Sequence, residues 1–396
     1  MFGRTIKLFK IFDFQVSIDL SWLIIMALVV WSLAGGRFPE QFPELSWQMH
    51  LLMGLAAAVG LFGSIVLHEM SHSLVARRFG LPMEGITLFL FGGVAQMRSQ
   101  PPSAKAEFFM AVAGPVCSVL IAAIFLGAWW AGETMGLADP VAAVLFWIGS
   151  INVILVIFNL IPGFPLDGGR VLRSGLWAWK GNLRWATDKA STVGRGFGAL
   201  VIAVGVVFLL TRNFVGGIWW ILIGMFIRAA AGNAYRQVLV RQALSDEPLE
   251  RFMNPEPVTI PADMPIDRAV DEFIYEYHFK MFPVVDNGRL VGCLTTRQIK
   301  DLDRDNWSET TAGQLAADCS EENTISSDSD AVDALAAMRK HDISRLMVVD
   351  DGELRGICSL KDLSRFLSRK LELEGDLPDP IDPTADKLPR QENLKK

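Results

Sequence analysis

The sequence predicts a polytopic α-helical membrane body of six transmembrane helices, followed by a soluble α/β pair. Three observations carry that prediction. The net charge of −6 conceals a split: residues 1–242 hold 18 Lys+Arg and 11 Asp+Glu, whereas residues 243–396 hold 19 and 32. The basic front half contains long stretches nearly free of charge, in a chain that is 51% apolar and only 20% charged, against about 25% in an ordinary soluble protein. The acidic back half repeats itself. This division excludes one uniform globular body, and the acidic balance argues against direct nucleic-acid binding. The four cysteines, Cys117, Cys293, Cys319 and Cys358, lack CxxC spacing, so neither a disulfide framework nor a cysteine zinc site is indicated.

The charge-poor stretches are 20–35, 51–76, 108–131, 141–162, 196–210 and 215–231. About 20 apolar residues cross the hydrocarbon core as a helix, so the second, third and fourth suffice alone. The other three are supported by their spacing and flanking charge. Arg4, Lys7 and Lys10 precede the first span, and Arg77, Arg78, Arg98 and Lys105 lie between the second and third. Arg170, Arg173, Lys180, Arg184, Lys189 and Arg195 lie between the fourth and fifth, and Arg228, Arg236 and Arg241 at or after the sixth. The alternate loops hold only Arg37 and Arg212. By the positive-inside rule this is a multi-pass protein of the cell membrane with both termini cytoplasmic. Ser32-Leu33-Ala34 after a basic start also fits a signal-peptide cleavage site. Six spans account for every loop, so the first is kept.

His68-Glu69-Met70-Ser71-His72 reads HExxH near the end of the second span. Spacing of i and i+4 puts both imidazoles on one helix face, able to grip a zinc ion, with Glu69 placed as general base. Ionisable side chains at membrane depth are costly and mark function. A catalytic zinc site needs a third protein ligand. His50 lies eighteen residues before His68, about 27 Å along a helix, and His278 and His341 lie in the back half. The third ligand is therefore expected to be a carboxylate, from Glu84, Glu107, Glu133, Asp139 and Asp167. Topology puts Glu133 and Asp139 on the wrong side. Asp167 follows the end of the fourth span in 159–170 (NLIPGFPLDGGR), a stretch whose prolines and glycines suit a non-helical, closely approached, water-lined segment. Asp167 is the first choice and Glu107 the second.

HEMSH in a span, followed by NLIPGFPLDGGR after a later one, resembles the site-2 protease family of intramembrane zinc metalloproteases over roughly residues 1–240. The resemblance implies His68, His72 and Asp167 as ligands of one catalytic Zn²⁺, Glu69 as catalytic base, and Asn159 as a residue that helps hold substrate or the oxyanion. It implies substrates that are single-span membrane proteins, such as a membrane-anchored transcriptional regulator, cut in or near the membrane. Residues 86–97 (ITLFLFGGVAQM) are apolar, β-rich and too short for a span. They are similar to the family's membrane-dipping β-hairpin, whose edge would accept an unwound substrate as an added strand.

Behind a linker at 241–254, residues 282–298 (FPVVDNGRLVGCLTTRQ) align with 346–362 (LMVVDDGELRGICSLKD), each position 64 residues from its counterpart. Each copy reads as helix, strand, Asp-x-Gly turn, strand and helix. Two copies imply a pseudo-symmetric module. It resembles a pair of CBS domains, expected over 255–310 and 311–370. That resemblance implies an adenine nucleotide at the pair, with Ser359 towards phosphate and Asp362 towards ribose. Thr295 is the counterpart of Ser359, but Gln298 stands where Asp362 has its carboxylate, which puts the first of two sites in doubt. A ligand-free homodimerisation module is the competing reading. Residues 371–396 are rich in Pro, Asp, Glu and Lys without periodicity, the composition of a disordered tail. Two further readings compete with a protease: a CBS-gated metal transporter or channel, and a catalytically inactive scaffold. The first predicts metal-binding side chains along other spans, which are almost bare of them. The second predicts loss of the metal set, which is intact.

Overall fold

Each charge-poor stretch becomes a helix, longer than its apolar part except in the fourth, which stops at Asn159. The computed structural model describes residues 5–11, 14–81, 83–89, 92–97, 100–211, 214–245, 247–320 and 322–373. Among these, six helices are long and apolar enough to cross a membrane: α1 (Leu20–Gln41), α2 (Trp47–Arg78), α3 (Ala104–Met135), α4 (Asp139–Asn159), α6 (Leu183–Leu210) and α7 (Phe214–Leu244). A shorter helix, α5 (Asp167–Lys180), stands between the fourth and fifth spans. At 32 residues, α2 is about 48 Å long, well beyond a hydrocarbon core of about 30 Å. The helix also takes in Gln48 and His50 at one end and Arg77 and Arg78 at the other, so hydropathy alone under-reads its length. Side-chain caps set the starts: Ser46 accepts from Met49 N and Ser103 from Ala106 N. α3 stops at Gly136 in the left-handed region.

A four-stranded sheet accompanies these helices, in the order β1 (Thr5–Ile11), β2 (Phe14–Asp19), β3 (Met83–Phe89), β4 (Gly92–Met97). β3 and β4 pair antiparallel over the segment expected as a hairpin, whose turn lies outside the described residues. β1 and β2 add a second hairpin, joined through the parallel pairing of β2 with β3 (Gln15 opposite Gly85, Ile18 opposite Leu88). The period-2 signal of β2 is legible afterwards: Phe14, Val16 and Ile18 are all buried. Ile18, Ile86 and Leu88 pack with Ile65, Val66 and Met70 of α2, which lays the sheet beside the HExxH helix.

The stretch around Asp167 differs from the expectation in one respect. The chain is irregular only from Leu160 to Leu166; Asp167 itself opens α5. A carboxylate in the first turn of a helix is favoured by the backbone N–H groups left unpaired there. Gly168 and Gly169 then allow the turn to nest on the preceding chain, because an added Cβ would overlap the carbonyl oxygens of Leu160 and Ile161 or the backbone of Gly163.

The chain divides into two units, Met1–Val238 and Leu239–Lys396. In the second, every strand has a counterpart 64 residues on: β5 (Met253–Asn254) and β9 (Ala317–Asp318), β6 (Ile260–Pro261) and β10 (Thr324–Ile325), β7 (Met281–Asp286) and β11 (Arg345–Asp350), β8 (Arg289–Thr295) and β12 (Glu353–Ser359). β7–β8 and β11–β12 are antiparallel hairpins, turned by Asn287-Gly288 and Asp351-Gly352 with both residues at positive φ. That geometry is the type I′ turn such dipeptides favour. The copies exchange strands, β5 pairing with β12 and β9 with β8. Helices α8 (Thr296–Asp301) and α10 (Leu360–Leu373) follow the hairpins, and α9 (Ala331–Lys340) precedes the second. Two separate cores result, one around Ile260, Phe282 and Leu294 and the other around Leu249, Leu346 and Val348. The tail expected to be disordered lies, beyond Leu373, outside the described residues.

Candidate metal centre

His68 and His72 stand one turn apart on α2, each 5% exposed, and Asp167 at the start of α5 is 9% exposed. Their donor atoms converge. The two Nε2 atoms are 3.2 Å apart, and Asp167 Oδ2 lies 3.1 Å from that of His68 and 3.2 Å from that of His72. Among the described residues this is the one group of three His, Cys, Asp or Glu side chains that could hold a metal ion.

α3 holds the imidazoles from the far side. His72 Nδ1 donates to the Met110 carbonyl at 2.6 Å, and His68 Nδ1 is hydrogen-bonded to Ser118 Oγ at 2.9 Å. A carbonyl can only accept, so His72 carries a proton on Nδ1 and turns Nε2 towards Asp167. Such a partner for the second ring nitrogen orients an imidazole for a metal. Between Met110 and Ser118 stands Gly114, where an added Cβ would fall onto His72 Nε2 and His68 Nε2. Two nitrogens and one carboxylate oxygen, pre-turned to one point in a buried cradle, fit the ligand set of a catalytic zinc.

The remaining carboxylates do other things. Glu69 is half-buried on the same turn as His68. Its carboxylate makes no hydrogen bond among the described residues. Glu107, the second choice for third ligand, is fully buried and instead accepts from Arg173 Nε of α5 at 2.6 Å. Asn159 is the half-buried last residue of α4, eight positions before Asp167 and outside the donor cluster. His50 is buried but hydrogen-bonded to the Phe42 carbonyl at 2.9 Å. Nothing in the sequence alone marks Met110 as a partner of this centre. The small-xxx-small spacing of Gly114 and Ser118 is the one available signal that α3 packs closely here.

In the second unit Ser359 Oγ donates to Asp362 Oδ2 at 2.5 Å, and both line a cavity with Arg345, Lys361, Arg365 and Phe279. The Arg345 guanidinium stacks over the Phe279 ring at 5.2 Å. Thr295 does not line that cavity. It caps α8, where Gln298 Oε1 accepts from Thr295 N and Oγ1, and Gln298 Nε2 donates to the Leu315 carbonyl at 2.9 Å. All four cysteines are unpaired. Burial, helped by the charge of Asp362, pushes the Cys358 thiol up to about 12, so it stays protonated and is no nucleophile.

Residues 56–134 and 131–204 match peptidase family M50, and residues 249–305 and 318–369 match the CBS domain. A provisionally named zinc metalloprotease of Synechocystis is 34% identical over 358 residues, 90% of this chain and 93% of that one. This chain belongs to peptidase family M50. A zinc metalloprotease of Methanocaldococcus jannaschii is 29% identical to this M50 peptidase over 375 residues, 95% of one chain and 99% of the other. Among solved structures, the site-2 protease from the same organism is 28% identical, covers 59% of the M50 chain and 96% of its own, and has a TM-score of 0.41. The protein is thus a multi-pass membrane zinc metalloprotease that carries a pair of CBS domains.

Proposed function

We propose that this M50 peptidase is an intramembrane endopeptidase of the site-2 type. It hydrolyses peptide bonds in or near the transmembrane segment of single-span membrane proteins, membrane-anchored regulators among them. The observation that carries this reading is a buried His-His-Asp cluster whose two imidazoles stand on, and are oriented by, helices long and apolar enough to span a membrane, with the carboxylate on the short helix α5. His68, His72 and Asp167 would hold one Zn²⁺. When bound, zinc polarises the scissile carbonyl and makes water a competent nucleophile near neutral pH. Glu69, adjacent to His68 and unclaimed by any hydrogen bond among the described residues, takes the proton of the attacking water and returns it to the leaving amine. Asn159 helps hold the peptide. His72 lies six residues before Arg78, about 9 Å along the helix, so the chemistry stays within reach of water at the charged end of α2. The alternation of basic loops supports cytoplasmic termini and a cytoplasmic mouth for the site.

In lipid vesicles, the purified protein is expected to cleave a single-span helical substrate. A zinc chelator removes the activity and added Zn²⁺ restores it. Cleavage that survives complete zinc removal, or that occurs only on soluble unfolded protein, contradicts the proposal.

The CBS pair acts as a sensor through a single adenine-nucleotide site. The cavity of Ser359 and Asp362 offers three cations, a carboxylate and an aromatic ring, a set suited to phosphate, ribose and base. In the first copy the Gln298 amide is already spent on Thr295 and Leu315. Calorimetric titration of the whole protein with AMP, ADP and ATP is expected to give one site per chain. Asp362→Ala weakens it by about 10-fold or more, as expected for lost hydrogen bonds to a charged group. No heat with any of the three would favour a ligand-free pairing module through which the chain forms homodimers.

A further inference from the structure

Glu107 and Arg173 form a buried ion pair for which neither peptide hydrolysis nor nucleotide sensing has a use. Glu107 sits in the first turn of α3 with a side chain 0% exposed, and Arg173 on α5 has a side chain 11% exposed. Both Nε and Nη2 of Arg173 donate to Glu107 Oε1. The guanidinium also stacks on the ring of Phe164, 4.9 Å from its centroid, and Phe164 is itself buried in the irregular stretch that leads to Asp167. Desolvating two charges is expensive, and an apolar pair of similar volume would often serve stability as well or better. What the pair supplies instead is direction, since two N–H groups of one planar guanidinium converge on a single carboxylate oxygen.

The direction matters because of what each partner is attached to. On α3, Glu107 lies one turn before Met110, whose carbonyl orients His72, and on the same side as Gly114 and Ser118. On α5, Arg173 lies less than two turns after Asp167. The ion pair therefore connects the helix that orients both imidazoles to the helix that carries the carboxylate facing them. We propose that Glu107–Arg173 is a positioning strut that sets where Asp167 stands against His68 and His72. The proposal rests on reading those three residues as the zinc ligands. Neither member of the strut touches the reacting atoms; both act through Asp167.

Zinc affinity of the purified full-length protein, measured by competition with a chromogenic chelator, tests this in a double-mutant cycle with Asp167→Asn. Glu107→Gln is expected to weaken zinc by about 10–100-fold, the usual cost of losing an outer-shell support. In the Asp167→Asn background it adds less than about 3-fold. Should Glu107→Gln fail to fold, the pair Glu107→Gln/Arg173→Gln leaves no unpaired buried charge and carries the same comparison, with helical circular dichroism as the check. An unchanged affinity, or an equal loss in both backgrounds, overturns the strut while leaving the zinc site intact. A purely structural ion pair gives that additive result. If Asp167→Asn itself leaves zinc affinity unaltered, the ligand reading fails first, and the strut with it.

Discussion

Gly114→Ala protein is expected to come off purification without zinc and without proteolytic activity. The added Cβ would sit closer to His72 Nε2 and His68 Nε2 than Cβ atoms approach any heavy atom. Neither ring can retreat. Each is tethered at its other nitrogen, to the Met110 carbonyl at 2.6 Å and to Ser118 Oγ at 2.9 Å, and both tethers belong to the helix that would gain the methyl. Pushing α3 outward relieves the clash only by breaking both hydrogen bonds, so the donors lose their convergence either way. Removing one outer-shell partner costs about 10–100-fold in metal affinity, and this change strikes two ligands at once. A loss above about 100-fold follows. Gly127 of the same helix has open space where its Cβ would go, so Gly127→Ala is the matched control and should keep its zinc. Metal analysis after dialysis decides. Full zinc content in the Gly114→Ala protein would show that the Nε2 atoms do not face the ion.

Glu69→Gln separates binding from chemistry. Glu69 lies outside the donor cluster, so the variant should retain zinc at the wild-type level. Its amide cannot take a proton, and general-base catalysis contributes about 10²–10⁴-fold. Hydrolysis should fall by that factor with substrate affinity little altered, because the change removes an interaction made only on the way to the transition state. Co-expression of the wild type and of Glu69→Gln with a single-span regulator gives the cellular form of the test. A cleavage fragment that appears equally with both would falsify the assigned base. Taken together, the two variants describe opposite failures, one of the site and one of the reaction.

Much of this centre is legible in the linear chain because its parts are local. HExxH is two residues on one helical face, and the Asp167 segment announces itself by prolines and glycines at the end of a span. The two-copy module is legible for the same reason, since Asn287-Gly288 and Asp351-Gly352 recur at one offset with apolar runs on both sides. What escapes is contact between distant segments. Met110 meets His72 across 38 residues, Ser118 meets His68 across 50, and Arg173 meets Glu107 across 66. A backbone carbonyl has no residue signature at all, and a glycine that makes room looks like any glycine in an apolar span. Glu107 shows the cost of this blindness: charge, depth and side of the membrane all suited a ligand, and only the position of Arg173 reveals another role. The β1–β2 hairpin escaped because a basic start before a span draws attention to its charges rather than to its alternation.

The spacing of the donors along the chain also sets an order of assembly. His68 and His72 are separated from Asp167 by 99 and 95 residues, and α3, which orients the imidazoles, lies between. As the chain is synthesised and inserted, the first three spans bring two ring nitrogens and their tethers, but no third ligand. The carboxylate arrives only when the fourth span has been placed and α5 begins. A newborn copy thus lacks a hydrolytic centre while its first four spans are placed, and completes the donor set before α6, α7 and the CBS pair have been made.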